Sequence, residues 1–572
     1  MAKNKKPGIK ESILDGSCFA FERDGFMPSL TAEERALLYH PTNLVGLIPA
    51  ALDCLLGKDR AGSQYALPFA WTFSSDTDRI IPYNLQSFRY QYCLILEYFG
   101  TKEEALLDLF IRWVFDWIAA HPSIEASDKW AWHDDATSKR VFYFCMLLTC
   151  FEKLLTDEQI RLLRQSLRMQ ARLLSREDFY RFGHNHGMYQ DMALAMYALC
   201  CGEETEYYFR LSAARSWAYF LQCYNEEGAH KEHSPQYHTG MARSLKWFYI
   251  VFRDREPEYA QQLDVMLNNA QAYAAWITMP DCTLPSIGDS PKAHKNLIGI
   301  WNDPQYVYTA SYGLEGQAPT ERMKVFPRSG YGVLRKDWSM NGSGTWMMLL
   351  AATHSEAHKH NDDLSFLLYH GGGELITEAG SRNYNYSDPL TEYCYSSYGH
   401  NVLFVDGKGW GMKPGGLPLI DDAAYETGIT AWEDTPDVSS VTGRQIRFPG
   451  VIQERTLRYD RKKDFVTVED RITSEKPAAL RLIYHFAPGV TAEREGPLCW
   501  LLRRENAAIA RACLEGNAAD LKAQLLTECD PPWRTAIFWG KPEIQRGSLL
   551  AADWSKEKKC ALSIIRLRIE LL

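Results

Sequence analysis

The 572-residue sequence lacks any run of about 18 apolar residues, the length that a helix needs to cross a bilayer. Its basic N-terminus, MAKNKKPGIKESILDG, is not followed by the apolar stretch of a signal peptide. No internal repeat of fixed period and no low-complexity tract occur. We therefore expect no membrane span. The lack of a visible leader predicts a cytoplasmic location, or a periplasmic or secreted one if a leader has been removed.

Positive charge and paired cysteines are also scarce. The formal net charge is -9, which argues against a general nucleic-acid or anionic-membrane binder. A polyanionic substrate remains compatible with this charge, because a cleft can be locally basic. The 14 cysteines are scattered and form no CxxC pair. Without an export signal, we expect them to be reduced thiols.

Aromatic residues, in contrast, are abundant. They make up 13% of the chain and include 17 Trp and 31 Tyr. This excess is typical of clefts in which sugar rings or flat ligands stack on aromatic side chains. It is equally typical of a large helical core that is filled with rings.

The apolar pattern changes its period near residue 315. Before it the pattern is helical, as in TDEQIRLLRQSLRMQARLL, where Thr156 and Gln159 have capping-box spacing. After it come short β-branched and aromatic segments bounded by Gly, Asp or Asn, and RYDRKKDFVTVED predicts a hairpin. We predict a domain of packed helical hairpins over 1–315 and an antiparallel β-sandwich over 316–572.

Four polar clusters could carry chemistry: GHNHG at 183–187, NEEGAHKEHSPQYH at 225–238, THSEAHKHNDDLSF at 353–366 and YSSYGHN at 395–401. Each cluster alone could also be a helix cap or a set of satisfied polar groups. In an extended chain, His358 and His360 would point to opposite faces. We therefore expect one of them to face a metal and the other to face a cleft.

A metal site needs three or four donors from different parts of the fold. The candidates are His360, Glu378 and His400. A turn at Gly371–Gly373 would leave His360 and Glu378 several ladder steps apart, at about 3.3 Å per residue. The chain around His360 must therefore curl, or the turn must lie elsewhere, if the two residues are to share a metal.

Together these clusters resemble the heparinase II/III-like polysaccharide lyases, over roughly residues 70 to 480. The similar elements, in order, are N-H-G (Asn185, His186, Gly187), G-x-x-x-E-x-S-x-x-Y-H (Gly228, Glu232, Ser234, Tyr237, His238), H-x-H-x-D (His358, His360, Asp362), the strand with Glu378 and Gly380, and H-N (His400, Asn401). The resemblance implies an (α/α) toroid followed by an antiparallel β-sandwich. It also implies cleavage of uronic-acid polysaccharides by β-elimination.

The resemblance assigns roles to particular residues. Asn185 and His186 would neutralise the uronate carboxylate. Tyr237 would be the acid, and in some members the same residue is also the base, while His358 would be the base or a helper. Structural Zn²⁺ would bind His360, Glu378 and His400, although the family usually has Asp where this chain has Glu378.

Five further residues are weaker candidates for binding sugar, and a surface or packing role is slightly favoured for each: Trp132, Arg140, Glu232, Tyr384 and Tyr386. Arg140 could pair with a uronate carboxylate in a bidentate way. The expected partner is an anionic uronic-acid polysaccharide or oligosaccharide, glycosaminoglycan-like by analogy with the family. We expect neither nucleic acid nor membrane as a partner, and a homodimer stays open.

Three other functions are compatible with parts of the sequence. A zinc metallohydrolase is one, because the stretch from His358 to Asp363 is similar to HxHxDH, with Asp at the last position. The long helical first half argues against that fold. A glycoside hydrolase on a helical toroid would need two carboxylates flanking one bond, such as Asp134 and Glu232. A non-catalytic carbohydrate-binding protein is disfavoured, because Asn185, His186, Tyr237 and His358 are all present.

Overall fold

The computed structural model describes residues 34, 37–38, 48–56, 67–73, 80–125, 128–202, 205–527, 535–540, 543–556 and 562–572. The chain groups into two compact units. One, which we call the helical unit, comprises residues 1–222 and 243–264. The other, the sheet unit, comprises residues 223–242 and 265–572.

This division differs from the single cut that the sequence predicts between 315 and 316. Residues 265–315 group with the strands because they carry side chains into the core of the sheet unit. The Trp276 ring lies 4.7 Å from that of Trp338, and Trp346 Nε1 donates to the Trp276 carbonyl at 3.2 Å. An interior tryptophan with a partnered N–H is a strong anchor.

Helices follow one another through the first part of the chain, as the apolar period predicts. Their bounds are α1 Ile48–Leu55, α2 Ile80–Gln86, α3 Arg89–Thr101, α4 Glu104–Ala120, α5 Asp134–Phe151, α6 Asp157–Ser175, α7 Asn185–Cys201, α8 Thr205–Cys223, α9 Pro235–Phe252 and α10 Pro257–Ile277. Shorter helices lie farther along, at α11 Pro304–Ala310, α12 Pro389–Tyr395 and α13 Asp422–Tyr425. None of the described helices is long and apolar enough to span a membrane.

The start of α6 confirms the predicted capping box. Thr156 Oγ1 accepts a hydrogen bond from the Gln159 backbone N–H at 3.2 Å. Gln159 Oε1 accepts one from the Thr156 N–H at 2.9 Å. The helix then buries Leu163, Leu167 and Leu174 on one face, as its spacing predicts.

Aromatic rings fill much of the core of the helical unit. Trp113 and Trp117 are fully buried. The Phe144 ring lies 5.8 Å from Trp117 and 4.9 Å from Phe88, in edge-to-face contacts. For these residues the aromatic excess of the sequence serves packing rather than ligand binding.

The strands begin with β1 Thr283–Leu284 and β2 Ala293–His294, which pair with each other. The bounds of the others are β3 Met323–Phe326, β4 Tyr331–Arg335, β5 Trp346–Leu350, β6 Phe366–His370, β7 Gly373–Thr377, β8 Gly380–Ser381, β9 Leu403–Val405, β10 Gly428–Asp434, β11 Val438–Gln445, β12 Val451–Asp460, β13 Phe465–Ser474, β14 Ala478–Phe486, β15 Val490–Gly496, β16 Cys499–Arg504, β17 Ala507–Gly516, β18 Lys522–Leu526, β19 Ala536–Trp539, β20 Gln545–Arg546, β21 Ser548–Lys556 and β22 Leu562–Leu571.

Two large antiparallel sheets form the predicted sandwich. Among the described residues one runs β18-β21-β14-β7-β6-β5-β4-β3, with β9 also paired to β14, and the other runs β10-β11-β12-β13-β22-β17-β16-β15. The predicted hairpin is β12 and β13, with Asp460 opposite Phe465 at the turn. One apolar core joins Leu349 and Leu368 of the first sheet to Leu457 and Val468 of the second. Helices followed by an antiparallel sandwich are the predicted fold class.

The expectation that all cysteines are reduced needs correction. A disulfide joins Cys499 of β16 to Cys513 of β17. The two residues are direct cross-strand partners, and their Cα atoms are 4.1 Å apart. Sequence spacing could not reveal this proximity, because it depends on the register of the two strands.

Candidate active site

Asn185 and His186 open α7 in the helical unit and lie in its first turn. His184 caps the helix, and its Nδ1 accepts a hydrogen bond from the His186 N–H at 3.1 Å. The next residue must be glycine, because a Cβ on Gly187 would lie 2.3 Å from the Arg181 carbonyl oxygen. Asn185 is exposed and His186 is partly exposed. The N-H-G motif therefore places two donor side chains at a helix start.

Asp134, at the start of α5, orients the His186 ring. His186 Nδ1 lies 2.9 Å from Asp134 Oδ1, and Arg181 Nε donates to Asp134 Oδ2. Burial alone would raise the pKa of Asp134, but the hydrogen bonds from His186 and Arg181 lower it well below its usual range. Burial lowers the pKa of His186, but the carboxylates of Asp134 and Asp135 together outweigh it, so its pKa lies above the ordinary value. His186 is thus held as a donor.

Replacing Asp134 by Asn should change how stability depends on pH. The pKa of Asp134 is lower in the folded protein than in the unfolded chain, so its ionised form stabilises the fold above the ordinary carboxyl pKa. That contribution is lost as the pH falls. We expect Asp134→Asn to lower the free energy of unfolding by about 1–3 kcal/mol at neutral pH. In this variant the free energy of unfolding should also fall less steeply as the pH is lowered. Urea unfolding between acidic and neutral pH measures this.

The matched control is Asp157→Asn, at the exposed first residue of α6. It should cost less than about 1 kcal/mol, through the helix dipole alone. If the free energy of unfolding falls equally steeply with acid in Asp134→Asn and in the unaltered protein, the pairing of Asp134 with His186 and Arg181 would be contradicted.

Two of the predicted sugar-binding residues belong instead to the core of the helical unit. Arg140 is fully buried, and its guanidinium N–H groups are used internally. The acceptors are Gln170 Oε1 at 2.8 Å and the carbonyls of Gln86 and Ala131 at 2.6 and 2.8 Å. Trp132 is 7% exposed and packs edge-on against Trp117 at 5.7 Å. The expected contacts of Arg140 and Trp132 with substrate are therefore not supported, because long-range packing encloses both side chains.

In the sheet unit, the Tyr237 and His358 rings are stacked. Their centroids lie 4.0 Å apart, with an angle of 24° between the planes. Tyr237 lies in the first turn of α9 and is half-buried. Its hydroxyl is 3.2 Å from that of Tyr384, whose side chain is exposed. This arrangement leaves a hydroxyl pair open to a ligand beside an imidazole.

His358 is held between two carboxylates. Its Nδ1 contacts Asp289 Oδ2, and its Nε2 lies 3.4 Å from Glu232 Oε2. Burial lowers the pKa of His358, but the two carboxylates outweigh it and raise the pKa to about 9. The ring therefore carries a positive charge at neutral pH. Glu232, predicted to bind sugar, contacts this imidazole.

His358 and His360 face the same carboxylate, so the prediction that they point to opposite sides is wrong. His360 Nε2 lies 3.1 Å from Asp289 Oδ1, while His358 contacts the other oxygen. The alternation rule assumes an extended chain, but His358 has a φ of 55°. This left-handed residue curls the backbone and brings both rings to the carboxylate of Asp289.

Asp289 is a site residue that none of the sequence motifs identifies. It follows Gly288, whose φ is 51°. A Cβ on Gly288 would lie 2.5 Å from the His233 carbonyl oxygen and 3.0 Å from that of His358. The available signal was the Gly-Asp-Ser stretch in LPSIGDSP, which fits neither the helical nor the strand period. Only the fold reveals that this turn presses against the H-x-H stretch.

The structure brings Glu378 and His400 together, as the metal prediction requires. His400 Nδ1 lies 3.0 Å from Glu378 Oε1. The third donor of the compact group is Asp362 rather than His360, and one ligand atom of each of the three residues lies within 4.8 Å of the others. The turn after β6 lies where predicted, at 371–372. The curl of the chain before β6 therefore permits the cluster.

Buried atoms without partners mark the same place. Among the described residues, Glu378 Oε2 and His360 Nδ1 are buried and make no hydrogen bond. The His360 and His400 rings lie 5.3 Å apart. Burial lowers the pKa of His400, but the carboxylates of Glu378 and Asp362 together outweigh it, so its pKa lies above the ordinary value. Buried polar atoms without hydrogen bonds are costly and often indicate a missing ion or water, so these donors fit a cation.

The remaining predicted residues are Tyr386 and Asn401, and the predicted site residues are divided between the two units. Tyr386 packs its ring 5.5 Å from that of Tyr395. Asn401 is buried, and its Nδ2 donates to the carbonyls of Phe366 and Thr377 at 2.8 Å each. Tyr237, Tyr384 and the H-x-H residues belong to the sheet unit, whereas Asn185 and His186 belong to the helical unit.

Comparison with known proteins identifies the family. The family description "Heparinase II/III N-terminus" matches residues 64–308, and "Heparinase II/III-like, C-terminal" matches residues 318–532. Two curated relatives, each named "Heparin-sulfate lyase", come from Bacteroides thetaiotaomicron and Bacteroides stercoris. They are 25% identical over 307 residues and 22% identical over 303 residues. These matches cover 47% and 50% of this chain but only 41% and 42% of the relatives' own lengths.

A solved structure supports the fold over nearly the whole chain. The structure of a heparan sulfate lyase HepC mutant from Pedobacter heparinus superposes with a TM-score of 0.78. It covers 98% of this chain and 88% of that one, at 17% identity. A likeness at this identity establishes the fold alone. With both family descriptions matched in order, the chain belongs to the heparinase II/III-like family.

Proposed function

We propose that the protein is a polysaccharide lyase that cleaves uronic-acid-containing glycans by β-elimination and leaves a 4,5-unsaturated uronate end. The observation that carries this proposal is the stacked Tyr237–His358 pair, in which both imidazole nitrogens face carboxylates. The curated relatives named heparin-sulfate lyases support a glycosaminoglycan as the substrate.

The chemistry needs positive charge and donors near a carboxylate. The C5 proton of a uronate is a poor acid, because its removal places negative charge next to an existing carboxylate. Donors that neutralise this group stabilise the enolate-like intermediate. By family resemblance, Asn185 and His186 take this role. Asp134 supports it, because it fixes His186 as a donor.

Tyr237 is the group best suited to move the proton. Because both nitrogens of His358 face carboxylates, the ring donates two N–H groups and has no lone pair to accept a proton. The imidazole instead stacks on the Tyr237 ring at 4.0 Å and orients it, and Tyr237 is proposed to react as its phenolate. The phenolate takes the C5 proton, the C4–O4 bond breaks, and Tyr237 returns the proton to O4. His358 is then the helper rather than the base.

The hydrolase alternatives receive less support. A glycosidase acid needs a raised pKa, whereas ion pairs lower the pKa of Asp134. The HxHxDH reading needs Asp363 as a ligand, but Asp363 accepts hydrogen bonds from Arg447 at 2.6 Å and Thr353 at 3.1 Å. Asp362, in the same motif, is paired with Lys359.

Ultraviolet absorbance tests the proposal. The purified protein would be incubated with heparan sulfate, heparin, chondroitin sulfate, hyaluronan and alginate, and with oligosaccharides of each. β-Elimination creates a C4=C5 double bond conjugated to the carboxylate, so absorbance should rise on at least one of them. New reducing ends without absorbance would contradict the lyase and favour hydrolysis.

We also propose that a structural Zn²⁺ binds His360, Glu378 and His400, because Asp362, although close to Glu378 and His400, is already paired with Lys359. Nitrogen and carboxylate donors are the ligands that zinc takes in proteins. The partnerless buried atoms Glu378 Oε2 and His360 Nδ1 support this proposal. When bound, the ion would cross-link the H-x-H stretch to the segments that carry Glu378 and His400.

His360→Ala should lower metal content and thermal stability more than it changes turnover. Elemental analysis, thermal unfolding and initial rates measure these effects, and we expect a loss of at least half the bound zinc. His370→Ala is the control, because that histidine lies on β6 and contacts Thr345 at 2.9 Å instead. The absence of zinc from unaltered protein purified without chelators would contradict the metal proposal.

A further inference from the structure

We infer that Asp289 is a positioning residue that couples the proposed metal site to the Tyr237–His358 pair. This inference rests on the proposed lyase function. Nothing in the sequence motifs assigns a role to Asp289, and its carboxylate does not belong to the compact donor group of Asp362, Glu378 and His400. It lies between the two sites and contacts a histidine of each.

The two oxygens of Asp289 divide their partners between the two sites. Oδ2 accepts from His358 Nδ1, on the side of the stacked tyrosine. Oδ1 accepts from Tyr395 Oη at 2.5 Å and contacts His360 Nε2 at 3.1 Å. The side chain is 1% exposed, so protein groups rather than solvent satisfy it. A change in the hydrogen bond that His360 makes to this carboxylate should therefore alter the hydrogen bond of His358, because both imidazoles contact Asp289.

The loop that carries Asp289 also holds the start of α9. Ser290 Oγ lies 2.7 Å from Ser234 Oγ and accepts from the Gln236 N–H at 2.9 Å. Tyr237 is the next residue. On the other side, Gly288 packs against the backbone of His358. One turn thus fixes both the helix start under Tyr237 and the imidazole that stacks on it.

His360 provides the link to the cation. Its Nδ1 is buried and has no hydrogen-bond partner among the described residues. A cation at Nδ1 would place the ring proton on Nε2, which would then donate to Asp289. Without the cation, His360 can carry its proton on Nδ1 and turn a lone pair towards Asp289 Oδ1. The carboxylate would then lose a donor and hold His358 less firmly.

Two measurements on the full chain test this coupling. The first follows the downfield imidazole N–H resonance of His358 by NMR with ¹⁵N-histidine labelling, assigned by its loss in His358→Gln. With zinc bound, the Asp289 contact should give a strongly downfield proton. Chelation of the zinc should shift or broaden it, and Asp289→Asn should remove it. A resonance that is unchanged by chelation would overturn the coupling, whether or not the protein proves to be a lyase.

The second measurement is steady-state kinetics of Asp289→Asn on the substrate that the absorbance panel identifies. We expect kcat to fall about 10- to 100-fold while KM changes by less than about threefold. Asp281→Asn, which removes a partly exposed partner of Lys292, should leave both constants near wild type. A wild-type kcat in a folded Asp289→Asn protein would overturn the positioning role. If the panel gives no activity, the proposed function fails, while the resonance test still decides the coupling.

Discussion

Tyr237→Phe is expected to abolish turnover while leaving the fold and substrate binding largely intact. The substitution removes one hydroxyl and keeps the ring that stacks on His358 at 4.0 Å. Loss of a group that transfers a proton in the transition state typically costs about 10²–10⁴-fold in rate. Because Tyr237 is proposed to act as both base and acid, we expect the upper end of this range. Initial rates by absorbance and titration of the variant with substrate measure the two effects separately.

The control is Tyr425→Phe, which removes a hydroxyl from an exposed tyrosine on α13. It should turn over at the wild-type rate. A near wild-type rate for Tyr237→Phe would mean that another group takes the C5 proton. His358→Gln would then be examined first, because His358 is the neighbouring candidate.

The largest expected effect on stability comes from Asp470→Asn in the sandwich. Asp470 and Arg455 are both fully buried, and Arg455 Nε and Nη2 donate to the carboxylate at 2.8 and 3.0 Å. Arg455 also donates to the carbonyls of Leu364 and Asn401. Without the carboxylate charge the guanidinium stays buried and uncompensated, which typically costs about 3–5 kcal/mol.

The neighbouring Glu469→Gln is a matched control. Glu469 points to the other face of the same strand, and its partners Arg566 and Arg471 are each about two-fifths exposed. Glu469→Gln should lower the free energy of unfolding by about 0–1 kcal/mol, as is usual for surface ion pairs. Denaturant unfolding of both variants gives the comparison. Equal losses would contradict the assignment of Arg455–Asp470 as the critical buried pair, which also anchors the chain near the H-x-H and H-N motifs.

Local patterns were sufficient to predict the elements of the fold. Helix spacing and the Thr156–Gln159 capping box depend on residues three and four apart, and the structure has both. The charged turn between β12 and β13 is likewise a short-range signal. The structure therefore agrees with the sequence wherever the decisive contacts lie within one turn or one hairpin.

The errors concern contacts between residues far apart in the chain. Arg140 looks like a cationic ligand for a uronate, but its acceptors include Gln86, 54 residues away. Asp289 and His358 are 69 residues apart. The turn that carries Gly288 and Asp289 packs against the curled backbone at His358. No local preference predicts a left-handed residue there. For the same reason Asp362 did not appear among the predicted metal ligands.

The most direct test of the proposed lyase is the mass of its product in water enriched in heavy oxygen. β-Elimination consumes no water, so each cleavage should give an unlabelled, unsaturated uronate end whose mass is one water below that of a hydrolysis product. Mass spectrometry of the oligosaccharides that the protein releases reads this directly. One heavy oxygen incorporated per cleaved bond, with no unsaturated end, would contradict β-elimination. The role proposed for the Tyr237–His358 pair would then be wrong.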